Sequence, residues 1–285
     1  MSIADNCMTA NLSLGAWEGR RLDRGASNQL ATDSAAGSDT VRVNKLIVSK
    51  ECLSPVGTAR NALRSHFLDR TLPWRDNGDR LLVRGIYQVF IQEHEALVEK
   101  FNGEISELIN VRYPAEKARA EFRMGKLYNP DDYPDAEELR AKFYARLEID
   151  AVNEAGDFRV QLDEDAVERV REQMTAAMEE RINRAMTDVW TRVSDTVEHL
   201  AGKLSDKEGV FKSSTIDNLD RLIDALPAMN ITGDPNLKRI AKEMKAKLHG
   251  QDAKKLRQDR KVRAAVAADA AEIMDQVRGF FNAIS

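Results

Sequence analysis

Cysteine is scarce in this chain, since Cys7 and Cys52 are the only two among 285 residues. They can form at most one disulfide and lack the C-x-x-C spacing of a structural zinc site, so neither a disulfide framework nor a cysteine-bound metal is expected. No window approaches eighteen apolar residues, and the N-terminal stretch lacks the basic-then-apolar run of a signal peptide. The sequence therefore predicts a soluble, cytoplasmic protein without membrane contact.

Recognisable catalytic and ligand-binding motifs are also missing. The sequence has no GxxxxGK[ST] phosphate loop, no dinucleotide-binding glycine fingerprint and no GxSxG nucleophile motif. Its histidines are too far apart to suggest a metal pair, and His94 is interpreted as a hydrogen-bonded histidine at a helix interface. We therefore predict no catalytic, cofactor-binding or metal-binding residue and no cofactor. Nothing in the sequence argues for an enzyme.

A cluster of acidic residues surrounds Tyr133 and is open to two interpretations. Asp131, Asp132 and Asp135 could supply oxygen ligands to a cation, but their spacing is not that of an EF-hand loop. A solvated acidic turn is the favoured interpretation.

Aromatic residues are few, at 6 %, whereas charged residues reach 32 %. That balance favours helices with solvated faces over a sandwich or a parallel sheet. The strongest helical pattern runs from Asp163 to about Leu204, where apolar residues recur at steps of three and four. A helix of this length spans roughly 60 Å and needs other long helices to cover its apolar stripe. The residues predicted to form that helix–helix interface are Val167, Val170, Met174, Met178, Ile182, Met186, Val189, Val193 and Val197.

A second long amphipathic helix is predicted from Arg84 to Tyr113, where Pro114 stops it or begins a new helix. Its apolar seam is nearly a heptad repeat, with Tyr87, His94, Phe101 and Leu108 seven residues apart. The two long helices predict an antiparallel hairpin or bundle, closed within one chain or between two copies.

Short β elements complete the predicted fold. A strand is expected near the N-terminus from Asn11 to about Gly19, followed by a loop from Gly25 to Asp39. A β-hairpin is favoured around residues 147–162. The fold class is therefore mainly α (α+β). We expect an N-terminal strand and loop over residues 1–39, a long-helix core over 40–205 with an acidic insert over 114–162, and a C-terminal helical segment over 206–285.

Charge is distributed unevenly behind the net charge of −4. The stretch from Asp131 to Asp165 is strongly acidic, whereas the stretch from Asn236 to Arg263 is strongly basic. The basic patch consists of Lys238, Arg239, Lys242, Lys245, Lys247, Lys254, Lys255, Arg257, Arg260, Lys261 and Arg263. These cations could neutralise phosphates in a salt-dependent, sequence-independent way, or they could contact the acidic middle of another copy. The patch has no aromatic residue to stack on a base, which argues against specific single-strand recognition.

Several motifs resemble a known family. The stretches NLSLGAWEGRRLDR, LSPVGTARNALRSHFLDRTLPWRDNGDRLL, YNPDDYPDAEELRAKF and AGDFRV, between Asn11 and Val160, are similar to the pattern of the domain-of-unknown-function family 3150. The resemblance implies a phage or prophage protein in a bacterial host cell, often encoded near MoxR-type ATPases and von Willebrand-type partners. It brings no catalytic residue and no cofactor. The basic patch lies outside these motifs.

Taken together, these patterns favour a non-catalytic, self-associating helical adaptor or assembly protein. Its partner would be a second copy or another protein, such as the MoxR-type ATPase that the resemblance implies. The alternative is a nucleic-acid-binding protein of phage replication or recombination that uses the basic helices between residues 236 and 263.

Overall fold

The computed structural model describes residues 3–153, 164–205 and 212–284. Helices dominate, and a small antiparallel sheet lies near the N-terminus, which confirms the predicted mainly α class with a small β element. The chain forms two compact units made of non-contiguous segments. The first contains Met1–Asn11, Arg70–Gln88 and Ile149–Ser285, and the second contains Leu12–Asp69 and Val89–Glu148. No helix among the described residues is both long and apolar enough to cross a membrane.

Strands of the main sheet lie in the order β4-β5-β1-β6. Their bounds are β1 Cys7–Gly15, β4 Leu72–Pro73, β5 Arg80–Val83 and β6 Tyr144–Ala151. The turn between β4 and β5 contains Gly78, whose φ of 98° suits glycine, and it carries the buried Trp74. β6 accounts for the first strand of the hairpin predicted around residues 147–162. The second strand of that hairpin lies outside the described residues.

The N-terminal part of the second unit differs from the predicted loop. β2 Arg20–Asp23 pairs with β3 Val43–Leu46, and α2 Arg24–Asp33 lies between them. The loop predicted from Gly25 to Asp39 is therefore wrong over α2. Periodicity missed this helix because it buries only Ser27 and Ala31 and so lacks an apolar stripe.

Helices of the second unit pack around a continuous core. They include α3 Lys50–Arg70, α4 Tyr87–Glu107, α5 Tyr113–Met124 and α6 Ala136–Ala141. A π-helical segment, Leu108–Arg112, joins α4 to α5, so Pro114 sits in the first turn of a new helix rather than ending the helical path. Core side chains include Leu63 on α3 with Phe101 and Ile105 on α4.

The first unit contains the long predicted helix, α7 Glu164–Ser205, within a residue of its expected bounds. It also contains α8 Ser213–Met229, α9 Pro235–Lys247, α10 Ala253–Gln258 and α11 Arg260–Ile284; the remaining helix, α1, is the short Ile3–Asn6. The most extensive helix–helix contact of α7 is with α11. The sequence did not predict this pairing of α7 with the C-terminal helix.

Candidate functional site

The apolar stripe of α7 divides into two halves that differ in burial. In the C-terminal half, the predicted interface residues Met186, Val189, Val193 and Val197 are buried, together with Leu200 and Leu204. These side chains pack in the part of α7 that contacts α11 and α8. Four of the nine predicted interface residues therefore belong to the internal core of the first unit.

Helix α11 lies against that half of α7 and runs antiparallel to it, and its described residues reach as far as Ile284. Near its start, the Arg263 guanidinium donates hydrogen bonds to the carbonyl oxygens of Leu204 (2.8 Å) and Lys203 (2.8 Å), at the C-terminal end of α7. Near its end, the Phe280 ring lies 5.6 Å from the Trp190 ring. Only four residues of α11 follow Phe280, which adds roughly 6 Å of helix. The N-terminal half of α7 therefore extends past the end of α11.

The N-terminal half of α7 keeps its apolar residues half-exposed. We call this set the open face of α7; it consists of Val167, Val170, Met174, Met178 and Ile182. Two contacts beside this face lie within the helix, since Thr175 donates to the Arg171 carbonyl (2.9 Å) and Arg171 lies 3.9 Å from Glu168. The remaining five predicted interface residues thus form a surface rather than a core.

The β4–β5 turn marks the C-terminal limit of the open face. The Arg181 guanidinium lies over the Trp74 ring at 6.0 Å, and Arg184 pairs with Asp76 at 2.6 Å. Arg184 also pairs with Glu180, one turn earlier on α7, at 3.1 Å. These contacts hold α7 against the β4–β5 turn where the buried half begins, and the open face continues the same helix.

About half of the basic patch is used inside the chain. Lys245 pairs with Asp224 (3.5 Å) and Lys247 pairs with Glu272 (2.7 Å). The Arg239 guanidinium lies 5.0 Å from the centre of the Phe280 ring, and Arg257 donates to the Ala253 carbonyl (3.1 Å). With Arg263 capping α7, these cations stabilise the helical packing of the first unit.

The other cations of the basic patch are exposed. In the described part of the chain, no carboxylate lies within ion-pair distance of Lys238, Lys242, Lys254, Lys255, Arg260 or Lys261. These six side chains keep their full charge available to an anionic partner.

The acidic cluster around Tyr133 has structural roles. Asp132 pairs with Lys45 (2.7 Å) and Arg21 (3.6 Å), and the Asp135 carboxylate accepts the backbone N–H of Glu138 (2.8 Å) as the cap of α6. The favoured interpretation of a solvated turn is therefore wrong for Asp132, whose side chain is 10 % exposed. The sequence missed this pairing because Lys45 lies far away in the chain.

A cleft of about 640 Å³ opens beside Asp132 in the second unit. Its charged lining is balanced, with Arg20, Arg21 and Lys142 against Asp131, Asp132 and Glu138. Its described lining residues include no histidine, cysteine, serine or threonine, so the cleft holds no Ser–His or Cys–His pair. Among the described residues, no group of three histidine, cysteine or acidic side chains could hold a metal ion.

The structure shows the surroundings of His94 and the burial of the two cysteines. His94 is buried on the seam of α4 as predicted, but its Nδ1 atom has no hydrogen-bond partner among the described residues. The His66 ring lies 6.1 Å from it, with Phe90 stacked on both imidazoles. Burial raises the pKa of both thiols, Cys7 and Cys52, to about 11, so they are unreactive near neutral pH.

Comparison of the chain with protein-family models, with curated proteins and with solved structures found no match. The resemblance to the domain-of-unknown-function family 3150 therefore stays a prediction from the sequence motifs.

Proposed function

We propose that this chain is a non-catalytic, self-associating helical adaptor or assembly protein. Phage or prophage origin, and a MoxR-type ATPase as a further partner, are part of the proposal because the sequence resemblance implies them. The observation that carries the proposal is the open face of α7, which continues the apolar stripe beyond the end of α11.

Physical chemistry favours a partner for this face. Five apolar side chains lie on one side of a continuous helix and remain half-buried. Completing the burial of such side chains contributes roughly 25 cal/mol per Å² of apolar surface. Two copies that bury the same face against each other double that gain, which has to offset the entropy lost on association. Association in the micromolar range is the expected result.

Sedimentation velocity over low to high micromolar concentrations tests the proposal. The native chain should shift from monomer to a larger species as the concentration rises. Met174→Glu places a charge in the middle of the open face, and we expect it to reduce association at least tenfold.

The matched control is Ala176→Glu, which adds the same charge at an exposed position two residues further along α7. It should associate like the native chain. A native chain that stays monomeric at every concentration would overturn the proposal, as would a Met174→Glu variant that associates normally. Far-UV circular dichroism of both variants verifies that the helical content is kept.

Nucleic-acid binding is a second candidate function because six exposed cations of the basic patch have no ion-pair partner in the described part of the chain. Fluorescence anisotropy with duplex DNA at two salt concentrations tests it. Binding that weakens steeply with salt, and that falls at least tenfold in Lys254→Glu/Lys255→Glu, would support this function. Lys117→Glu/Lys126→Glu makes the same change in net charge on exposed residues of the second unit and should leave binding nearly unchanged. Absence of binding at low salt removes the candidate.

A further inference from the structure

The exposed cations of the basic patch that have no ion-pair partner in the described part of the chain fall into two groups. One group lies on α10 and at the start of α11, and we call it the basic junction: Lys254, Lys255, Arg260 and Lys261. The other group lies on α9 and consists of Lys238 and Lys242. The two groups are neighbours in the sequence, but the packing of α9 on α11 sets their separation in space.

Helix α9 runs antiparallel to α11, which places the α9 group far from the basic junction. The Arg239 guanidinium lies 5.0 Å from the centre of the Phe280 ring, and Lys247 pairs with Glu272 at 2.7 Å. The α9 group flanks Arg239 in the sequence, so it lies level with the C-terminal part of α11. Its distance from Arg260, measured along α11, is therefore roughly 25–30 Å.

Carboxylates occupy the space between the two groups. Glu272 and Asp275 are exposed on α11 beyond its first turns. The hydrogen bond from Lys247 to Glu272 raises the pKa of Lys247, and the charges of Asp269 and Glu243 raise it further, so three carboxylates lie around this one cation. A polyanion that binds the basic junction meets repulsion from this acidic stretch before it reaches the α9 group.

The acidic residues of the basic junction are engaged by the backbone. Asp252 accepts the N–H groups of Lys254 (2.7 Å) and Lys255 (3.3 Å) and so caps α10. Asp259 accepts the N–H group of Lys261 (2.8 Å) and so caps α11. These carboxylates satisfy helix ends instead of pairing with the neighbouring side-chain cations, which stay exposed.

The basic junction presents charge without apolar surface. Helix α10 buries Ala253 and Leu256, and Lys254 and Lys255 lie on the opposite side of it. In the described part of the chain, none of the exposed large hydrophobic side chains belongs to residues 250–263. Protein interfaces have an apolar centre that is depleted in lysine, and membrane-bound helices insert apolar side chains. A phosphate backbone needs only cations, so it fits this surface best.

We propose that the phosphate backbone of a nucleic acid binds at the basic junction alone, through about four phosphate contacts and without base recognition. This inference rests on the nucleic-acid candidate function and narrows its contact surface from the whole basic patch to four residues. It is independent of self-association. The hydrogen bonds of Arg263 place the start of α11 at the C-terminal end of α7, whereas the open face lies in the N-terminal half of α7.

The salt dependence of binding counts the contacts. Fluorescence anisotropy of a short labelled DNA duplex, at sub-micromolar chain concentration, gives the association constant over a series of salt concentrations. The slope of log K against log salt should be about −3.6 for four phosphates, rather than about −10 for all the cations of the basic patch.

Two matched variants locate the contacts. Arg260→Ala/Lys261→Ala should make the slope shallower by about 1.8 and weaken binding at low salt at least tenfold. Lys238→Ala/Lys242→Ala removes the same charge from the same unit and should keep both the slope and the affinity close to those of the native chain. Both variants change exposed side chains, and far-UV circular dichroism verifies that the helical content is kept.

The outcomes distinguish this inference from the candidate function. A native chain that binds no duplex at low salt overturns both. If the native chain binds, equal losses in the two variants overturn the inference and leave nucleic-acid binding intact, because the contacts then extend over the whole basic patch. Displacement of the labelled duplex by poly-glutamate as effectively as by unlabelled duplex also overturns the inference, because the basic junction then accepts an acidic protein equally well.

Discussion

At the residue scale, the burial of His94 in the second unit makes the free energy of unfolding depend on pH. Burial lowers the pKa of its imidazole below the usual 6.5, and the nearby His66 lowers it further. The groups that face this site include Phe90, whose ring stacks on both imidazoles, His66, whose ring lies 6.1 Å from that of His94, and Glu93, which lies 3.5 Å from His66. The folded chain therefore holds His94 neutral at a pH where the unfolded chain already binds a proton.

The sign of the pH dependence follows from that difference. Below about pH 6.5 the unfolded state binds more protons at this position, so the free energy of unfolding should fall as the pH falls, by at most about 1.4 kcal/mol per pH unit. Urea denaturation between neutral and mildly acidic pH measures this slope. His94→Leu should flatten it, whereas a Gln substitution at the exposed His199 should keep the native slope. An unchanged slope in His94→Leu contradicts the assignment.

Lys45 is the residue that ties the turn around Tyr133 to strand β3. Its ammonium group lies 2.7 Å from Asp132 and 3.4 Å from Asp23, and it donates to the Leu127 carbonyl at 2.8 Å. The Asp132 carboxylate raises the pKa of Lys45, which keeps the cation charged although only 10 % of its side chain is exposed.

Lys45→Met should therefore lower the free energy of unfolding by about 2–3 kcal/mol, because two little-exposed carboxylates lose their cation. Chemical denaturation monitored by tryptophan fluorescence measures the loss. The exposed Lys117 provides the matched substitution, Lys117→Met, whose effect should stay within about 0.5 kcal/mol. Equal effects of the two substitutions would show that the ion pairs do not stabilise the fold.

At the element scale, the two halves of α7 differ in burial. The same Val→Ala substitution in each half compares how much burial contributes to stability. Val193 is fully buried beside α11, whereas Val170 lies half-exposed on the open face. Val193→Ala should cost about 2 kcal/mol through lost burial and an unfilled cavity. Val170→Ala should cost less than about 0.5 kcal/mol, because alanine's higher helix propensity offsets the small loss of burial.

Urea denaturation of both variants at sub-micromolar chain concentration, where association does not contribute, provides the comparison. Equal costs would mean that the N-terminal half of α7 is as well covered as the C-terminal half. That result would also remove the basis for the open face.

At the scale of the whole molecule, self-association couples stability to concentration. A chain that associates only when folded is stabilised by mass action, so the melting temperature of the native chain should rise by about 2–4 °C from low to high micromolar concentration. Differential scanning calorimetry measures this rise. Met174→Glu should melt at the same temperature across that range. A native melting temperature that is independent of concentration contradicts association of the folded state.

Local order along the chain was determined by the sequence alone. The expected bounds of α7 differ from Glu164–Ser205 by a single residue at each end, because a long apolar stripe without a helix breaker specifies a helix through its own spacing. The caps at Asp234 and Asp252 are equally local, since a cap needs only its carboxylate and the backbone N–H groups that follow it. Helix α2 was missed where this local signal is weak.

Only the tertiary structure decided what each face contacts. The stripe of α7 specifies an apolar surface, but only its C-terminal half is buried, in the part of the helix that packs with α11. In the same way, eleven cations are equivalent in the sequence, and the fold pairs Lys247 with Glu272 while leaving Lys254 exposed. Helical periodicity depends on residues in neighbouring turns, so it can be read from the sequence. Which helix or side chain a surface contacts depends on how distant segments of the chain meet, so only the tertiary structure decides it.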